Sequence, residues 1–280
     1  MPLISASDLR DRLASIRLLD ARQDPADYAS GHLPGAFHAD LNRHLSTACD
    51  PDHDPARGGR HPLPPLARFA AQLGAWGIGP DTEVVAYDAA GGSNAAARLW
   101  WMLRAVGHER VAVLDGGLAE ALAAGLTLTV DIPPASPLPP HPGDHWRLPL
   151  VGAEAVEALR RDPSRALMDA RSPERWRGEN ETLDPVPGHI PGSVNLYWAD
   201  NLGPDGRFKS PEVLRAQYEA ALGGVSPERL AVHCGSGVTA CHNLLAMEVA
   251  GLPGAALYVG SWSEWCRSGR AKSGSTKGAK

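Results

Sequence analysis

The sequence predicts an α/β protein made of two similar domains, each a parallel sheet with helices on both faces. Three observations predict it. Short apolar runs alternate with longer helical ones, the rhythm of strand–helix–strand units. Four segments of the first half recur in the second half in the same order. The length of 280 residues is about twice the ~150 of a typical domain, so each half can bury its own core.

The repeats set the domain plan. "LLDAR" at 18–22 is answered by "LMDAR" at 167–171, and "GHLPGA" at 31–36 by "GHIPGS" at 188–193. "VVAYDAAGGSNAAARLWWMLRAVG" from Val84 resembles "LAVHCGSGVTACHNLLAMEVAG" from Leu230, and "AVLDGGL" from Ala112 resembles "ALYVGSW" from Ala256. Four matches in register mark a duplicated domain. The first copy is expected over 1–130 and the second over 147–268. Between them, "DIPPASPLPPHPGDHW" at 131–146 is too rich in proline for helix or sheet interiors and reads as an extended linker. The end, 269–280, is rich in Gly, Ser and Lys without an apolar period and reads as a disordered tail.

Within the second copy, "RALMDA" (165–170), "RLAVH" (229–233) and "AALYV" (255–259) read as strands. "PEVLRAQYEAAL" (211–222) and "VTACHNLLAMEVAG" (238–251) read as helices. Parallel sheets of this kind bind ligands at the carboxyl ends of their strands.

Composition narrows the function classes. Hydrophobic residues at 43% and charged residues at 21% are globular proportions, unlike a disordered chain, a coiled coil or a membrane protein. The formal charge of −5 comes without a basic stripe, which argues against nucleic acid as a partner. Asp8, Arg10, Asp11 and Arg12 fall where a signal peptide needs an apolar core, and no long apolar run follows. A cytoplasmic location and no membrane partner are therefore expected. Cys49, Cys234, Cys241 and Cys266 lack CxxC spacing, so no disulfide framework or zinc site is signalled.

The chemistry concentrates in "HCGSGVTAC" at 233–241. A strand ending at His233 and a helix beginning near Val238 put Cys234 at a strand's carboxyl end. Gly235 and Gly237 accept the dihedrals of a tight loop, so the amides of Gly235, Ser236, Gly237, Val238 and Thr239 are expected to point inward. Together with the helix N-terminus they favour an anion. Such surroundings lower a thiol pKa from about 8.5 to between about 3.5 and 7.5, which would make the cysteine a thiolate nucleophile. The alternative is a small buried cysteine beside a turn. A cysteine-phosphatase loop would need arginine where Ala240 stands, so that chemistry is excluded. Cys241 reads as a packing residue, with a resolving-thiol role as the alternative.

"CGSGVTAC", "GHIPG", "GSWSEW" and the duplication resemble the tandem-domain rhodanese family, specifically its 3-mercaptopyruvate sulfurtransferase branch, over nearly the whole chain up to about residue 266. The resemblance implies two rhodanese-like domains, a persulfide on Cys234, and no metal or organic cofactor. It also implies a small anionic sulfur donor and a thiol, cyanide or thioredoxin-like acceptor. Asp88 aligns with Cys234 and cannot carry sulfane sulfur, so the first domain should be catalytically silent.

The second copy carries an insertion, "SPERWRGENETLDPVP", in which Arg175 falls on one of two arginines that grip the substrate carboxylate in the resembling enzymes. The other falls near Asp184. Arg175 and Arg177 could instead form a surface pair with Glu174 and Glu179, and Arg177 is assigned to the surface. By the same resemblance Ser236 and His61 match two members of a proton relay, while Asn42 occupies the aspartate position, with Asp40 two residues earlier. Thiosulfate-preferring rhodaneses carry basic residues just after the cysteine. Here Gly235 and Ser236 are neutral, which favours a monoanionic carboxylate donor. The expected function is sulfur transfer from 3-mercaptopyruvate. The alternatives are a thiosulfate:cyanide sulfurtransferase and a non-enzymatic sulfur carrier or redox interaction module.

Overall fold

The computed structural model describes residues 1–93 and 95–273, which form two compact units. The first comprises Met1–Cys49, Leu63–Leu148 and Leu202–Lys209; the second comprises Asp50–Pro62, Pro149–Asn201 and the chain from Ser210 onward. Two short segments are thus exchanged between the sequence halves, and one of them, Asp50–Pro62, contains His61. Among the described residues no helix is long and apolar enough to cross a membrane.

The first unit has a five-stranded parallel sheet of β1 (Leu3–Ile4), β2 (Arg17–Asp20), β3 (Phe37–His38), β4 (Val84–Tyr87) and β5 (Val111–Leu114) in the order β1-β5-β4-β2-β3. Its helices are α1 (Ala6–Arg12), α2 (Pro25–Ser30), α3 (Leu66–Ala75), α4 (Ala96–Ala105) and α5 (Gly117–Ala123). Every residue of β4 is buried, as an inner strand of a covered parallel sheet requires. Leu9, Leu18, Leu33, Val85, Tyr87 and Leu114 pack into one core.

The second unit repeats the plan with β6 (Ala166–Asp169), β7 (Ser193–Asn195), β8 (Leu230–His233) and β9 (Ala256–Leu257), all parallel in the order β7-β6-β8-β9. Its helices are α6 (Ala153–Leu159), α7 (Pro173–Arg177), α8 (Pro211–Leu222), α9 (Thr239–Val249) and α10 (Ser261–Trp265). Helix α8 has the expected bounds because its ends are written locally. The Ser210 hydroxyl accepts from the Val213 amide, Pro211 opens the first turn, and Gly223 at φ +56° ends the helix. The core holds Leu167, Ile190, Ala231 and Trp262, where the first core holds Leu18, Leu33 and Val85 at the matching repeat positions.

The repeated motifs prove to be scaffold. Arg22 forks onto the Asp20 carboxylate, with Nη2 at 2.6 Å, and also donates to the Gly31 carbonyl at 2.7 Å. In the second copy Arg171 makes the same pair of bonds, to Asp169 at 2.7 Å and to the Gly188 carbonyl at 2.8 Å. Each "DAR" is thereby tied to the "GH" of its own domain. A buried ion pair is tolerated when its remaining donors are satisfied in this way.

Residues 131–146 run without regular structure along the first unit. The Leu138 amide donates to the Gly74 carbonyl at 2.9 Å and the His141 amide to the Ala70 carbonyl at 3.0 Å. At the chain end, Ser273 and His189 exchange backbone hydrogen bonds of 3.0 and 2.6 Å. The rest of the segment read as a disordered tail, 274–280, lies outside the described residues.

Candidate active site

β8 stops at His233 and α9 starts at Thr239, which leaves Cys234 to Val238 as the loop at the strand's carboxyl end. Cys234 is 2% exposed, and the Gly237 amide donates to its Sγ at 3.1 Å. Gly237 has φ +75°, and a Cβ there would lie 2.5 Å from the Val259 carbonyl oxygen. Both the dihedral and the close approach demand glycine. Val238 is the residue before α9 and Thr239 its first residue. Cys241, one turn into the helix, is buried and donates from Sγ to the Gly237 carbonyl at 3.4 Å.

The first turn of α10 braces this loop from the side. The amides of Trp262 and Ser263 donate to the carbonyls of Cys234 and Gly235 at 3.0 and 2.9 Å. The Cys234 amide donates to Ser261 Oγ at 3.1 Å, and that hydroxyl donates to the Tyr258 carbonyl at 2.9 Å. Ser261 is, among the described residues, the one non-glycine with positive φ, at 53°. Such strain persists where the surroundings over-determine it. Nothing in the sequence singled out Ser261, although it stands in the "GSWSEW" motif.

Beneath the loop lies a buried charge network. Burial pushes the pKa of His233 below the ordinary histidine value, with Asp169 opposing from 3.8 Å. Burial alone would raise the Asp169 pKa, but Arg171 and His233 hold its carboxyl well below the usual carboxylate range. Arg171 loses solvation in the interior, yet Asp169 and Glu181 strengthen its hold on its proton. Its guanidinium also lies 5.1 Å from the Trp262 ring centre.

The segment from Asp50 to Pro62 brings His61 to the loop. His61 Nδ1 lies 2.9 Å from Ser236 Oγ. The preceding residues are clamped to the turn that opens α10. Gly58 N–H donates to Glu264 Oε1 and Arg60 N–H to Ser263 Oγ, both at 3.0 Å. Gly59, at φ +80°, comes so near that a Cβ would lie 2.4 Å from the Gly260 oxygen. In the first unit, the Asp40 carboxylate accepts from the amides of Asn42 and Arg43 at 2.7 and 3.0 Å, and Asn42 itself is exposed.

Three arginines surround Asp184, and two of them reach Gly235. Arg175, on α7, pairs with Glu181 at 2.9 Å rather than with Glu174 or Glu179, and lies 3.9 Å from Asp184. Arg177 pairs with Glu179 at 2.8 Å on the surface. Asp184, its side chain fully buried, accepts from Arg60 and, at 2.9 Å, from Arg267. A Cβ built on Gly235 would lie 3.1 Å from Arg60 Nη2 and 3.4 Å from Arg175 Nη2. Arg60 was not foreseen as a site residue. Its one sequence signal was adjacency to His61.

A model of the rhodanese-like domain matches residues 5–124 and 152–268. The chain belongs to the rhodanese family. It is 45% identical to a protein of Pseudomonas aeruginosa named probable 3-mercaptopyruvate sulfurtransferase, over 94% of each chain. It is 37% identical to the thiosulfate sulfurtransferase of Mus musculus, over 90% of this chain and 86% of that one. The crystal structure of SseA from Escherichia coli, a 3-mercaptopyruvate sulfotransferase, superimposes with a TM-score of 0.75 at 30% identity, covering 94% of this chain and 99% of that one. These relatives make this rhodanese an enzyme, a sulfurtransferase.

The first rhodanese-like domain has its own version of the loop. Asp88 follows β4 as Cys234 follows β8, and it is fully buried. Its carboxylate accepts from the amides of Ala90, Gly92, Ala95 and Ala96 at 2.8, 2.9, 3.3 and 3.2 Å. An amide cradle of the kind that favours an anion is thus filled by the chain's own side chain.

Proposed function

We propose that this sulfurtransferase takes the sulfur of 3-mercaptopyruvate onto Cys234 as a persulfide and passes it to cyanide, a small thiol or a thioredoxin-like protein. The observation that carries the reading is the Cys234 sulfur under the Gly237 amide, beside the Ser236–His61 pair. The Cys234 thiolate attacks the donor sulfur, a new S–S bond forms and the donor's C–S bond breaks. The electron pair of that bond stays on carbon as the enolate of pyruvate. The proton leaving the donor thiol reaches that carbon through Ser236 and His61, which releases pyruvate. The acceptor then attacks the outer sulfur and restores the Cys234 thiolate. Gly235, Gly237, Val238 and Thr239 lie in the loop or at the helix start and are proposed to stabilise the charge with their amides. Arg175 is proposed to hold the donor carboxylate, although in the structure it is engaged with Glu181.

The first domain is proposed to be catalytically silent, since Asp88 fills the cognate loop with a group that cannot carry sulfane sulfur. A reducing cytoplasm suits both a thiolate nucleophile and a thiol acceptor. Steady-state kinetics with 3-mercaptopyruvate and with thiosulfate, combined with intact mass spectrometry after donor exposure, test the reading. The wild type should gain one sulfur and turn over the carboxylate donor faster, and Cys234→Ala should gain none. Thiosulfate turnover far above that of 3-mercaptopyruvate would transfer the assignment to a thiosulfate:cyanide sulfurtransferase.

A further inference from the structure

We propose that the first domain pairs with the first domain of a second copy of this chain, the segment from Leu128 to Ile132 of each lying antiparallel to the other across a two-fold axis at Val130. This pairing is independent of the sulfur chemistry and involves no residue placed at the Cys234 site.

The segment is bonded along one edge only. Thr129 and His32 exchange both backbone hydrogen bonds, each at 2.9 Å, and His32 Nε2 lies 3.2 Å from the Asp131 carbonyl oxygen. Alternate residues of an extended chain turn their peptide groups to opposite edges. The amides and carbonyls of Leu128, Val130 and Ile132 accordingly face away from His32, and among the described residues nothing bonds to them. Pro133 ends the free edge, because it has no amide to offer. Leu128, Val130 and Ile132 are also 44%, 65% and 78% exposed. They fall at every second position, so their side chains share one face. Water thus meets an apolar strip and an unpaired backbone edge in the same place, a combination that sheet proteins otherwise blunt with charge.

The duplication supplies a contrast within the molecule. In the second domain Ser273 and His189 exchange the corresponding pair of bonds, and the residue before that bridge is Lys272, where the first domain has Leu128. The fold therefore does not require an apolar residue there. One edge carries a protecting lysine, and the other is left apolar.

The strip fits its own copy. With Val130 opposite the partner's Val130, Leu128 meets the partner's Ile132 and Ile132 meets the partner's Leu128, each pair exchanging both backbone bonds. The apolar side chains then cover one another on one face. On the opposite face Thr129 stands across from the partner's Asp131, so no like charges are directly opposed. Pairing of this kind is isologous, so it closes at a dimer and leaves no edge on which to propagate. The contact is small, which places it among weak, concentration-dependent interfaces.

Sedimentation equilibrium of the full chain under reducing conditions, from about 1 μM to about 1 mM, tests the pairing. The wild type should pass from monomer to dimer across that range. Val130→Lys sets two ammonium groups face to face on the axis and forfeits the valine contact, so its dissociation constant should rise at least about tenfold with the thermal midpoint unchanged. Val213→Lys alters a valine that is 51% exposed on α8 and should leave the wild-type constant in place. Cross-linking reads the register directly. In a Cys49→Ser background, Val130→Cys should give a disulfide-linked dimer on mild oxidation, since opposed residues of a hydrogen-bonded pair have Cα atoms about 5.5 Å apart; Val213→Cys should not. A wild type that stays monomeric at the highest concentration, which would leave the strip to a different partner, overturns the proposal. So does a dimer that Val130→Lys leaves intact or that Val130→Cys fails to link.

Discussion

Gly59→Ala touches neither His61 nor Ser236, yet it is expected to disable the pair. At φ +80° an alanine is held in the left-handed region, at about 1–2 kcal/mol. Its Cβ would also lie 2.4 Å from the Gly260 oxygen and 2.6 Å from Ser263 Oγ, and relieving that overlap costs about 1–3 kcal/mol more. Against this, the segment is held to the α10 turn by the Gly58 bond to the Glu264 carboxylate, worth about 1.5–3 kcal/mol, and the Arg60 bond to Ser263, worth about 1 kcal/mol. Strain and restraint are of equal size, so the clamp opens and His61 leaves the 2.9 Å contact with Ser236 Oγ. The core of the second domain does not include this segment and should stay folded. Because a positioned acid–base group contributes about 10²–10⁴ in rate, kcat/KM with 3-mercaptopyruvate should fall at least about tenfold while the thermal midpoint moves little. Glu264→Gln, which retains the acceptor, should lose much less. Wild-type kcat/KM in Gly59→Ala would refute the clamp as the device that positions His61.

Two further predictions concern the first domain. Asp88→Ala strips four amides, three of them buried, of their acceptor and should destabilise that domain by about 2–5 kcal/mol in urea titration; added formate should recover part of the loss, and a change below ~0.5 kcal/mol would count against the plugged-cradle account. His108 is 1% exposed, and burial followed by the nearby His141 pushes its pKa down to about 4. Its unfolded form takes a proton near pH 6.5, so stability should be full above that pH, decline by up to about 3 kcal/mol as the pH falls toward 4, and level off below; His108→Leu should flatten this slope, and an unchanged slope would exclude His108 as its source.

Much of this site lay open in the linear chain because its signals are local. The repeats "DAR" and "GH" lie close enough together to bind each other in each domain, so duplication showed as two copies of one bonded unit. Cys234 was legible because strand, glycine loop and helix follow one another within a dozen residues, and their order alone puts the thiol at a strand's end. The bounds of α8 were written in its serine, proline and glycine. The strand expected at 255–259 was overlong, since pairing in β9 stops at Leu257 before the turn into α10.

What remained hidden depends on residues far apart in sequence. Arg60 and Asp184 are 124 positions apart, and the 175 positions between Ser236 and His61 were bridged by the family resemblance alone. Hydrophobic period and turn chemistry carry no information about such pairs, because they report only on neighbours along the chain. The chain announced a nucleophile and its loop. Only the packing of residues 50–62 into the second unit and onto α10 put Arg60 beside Gly235 and gave Asp184 its bonds to Arg60 and Arg267.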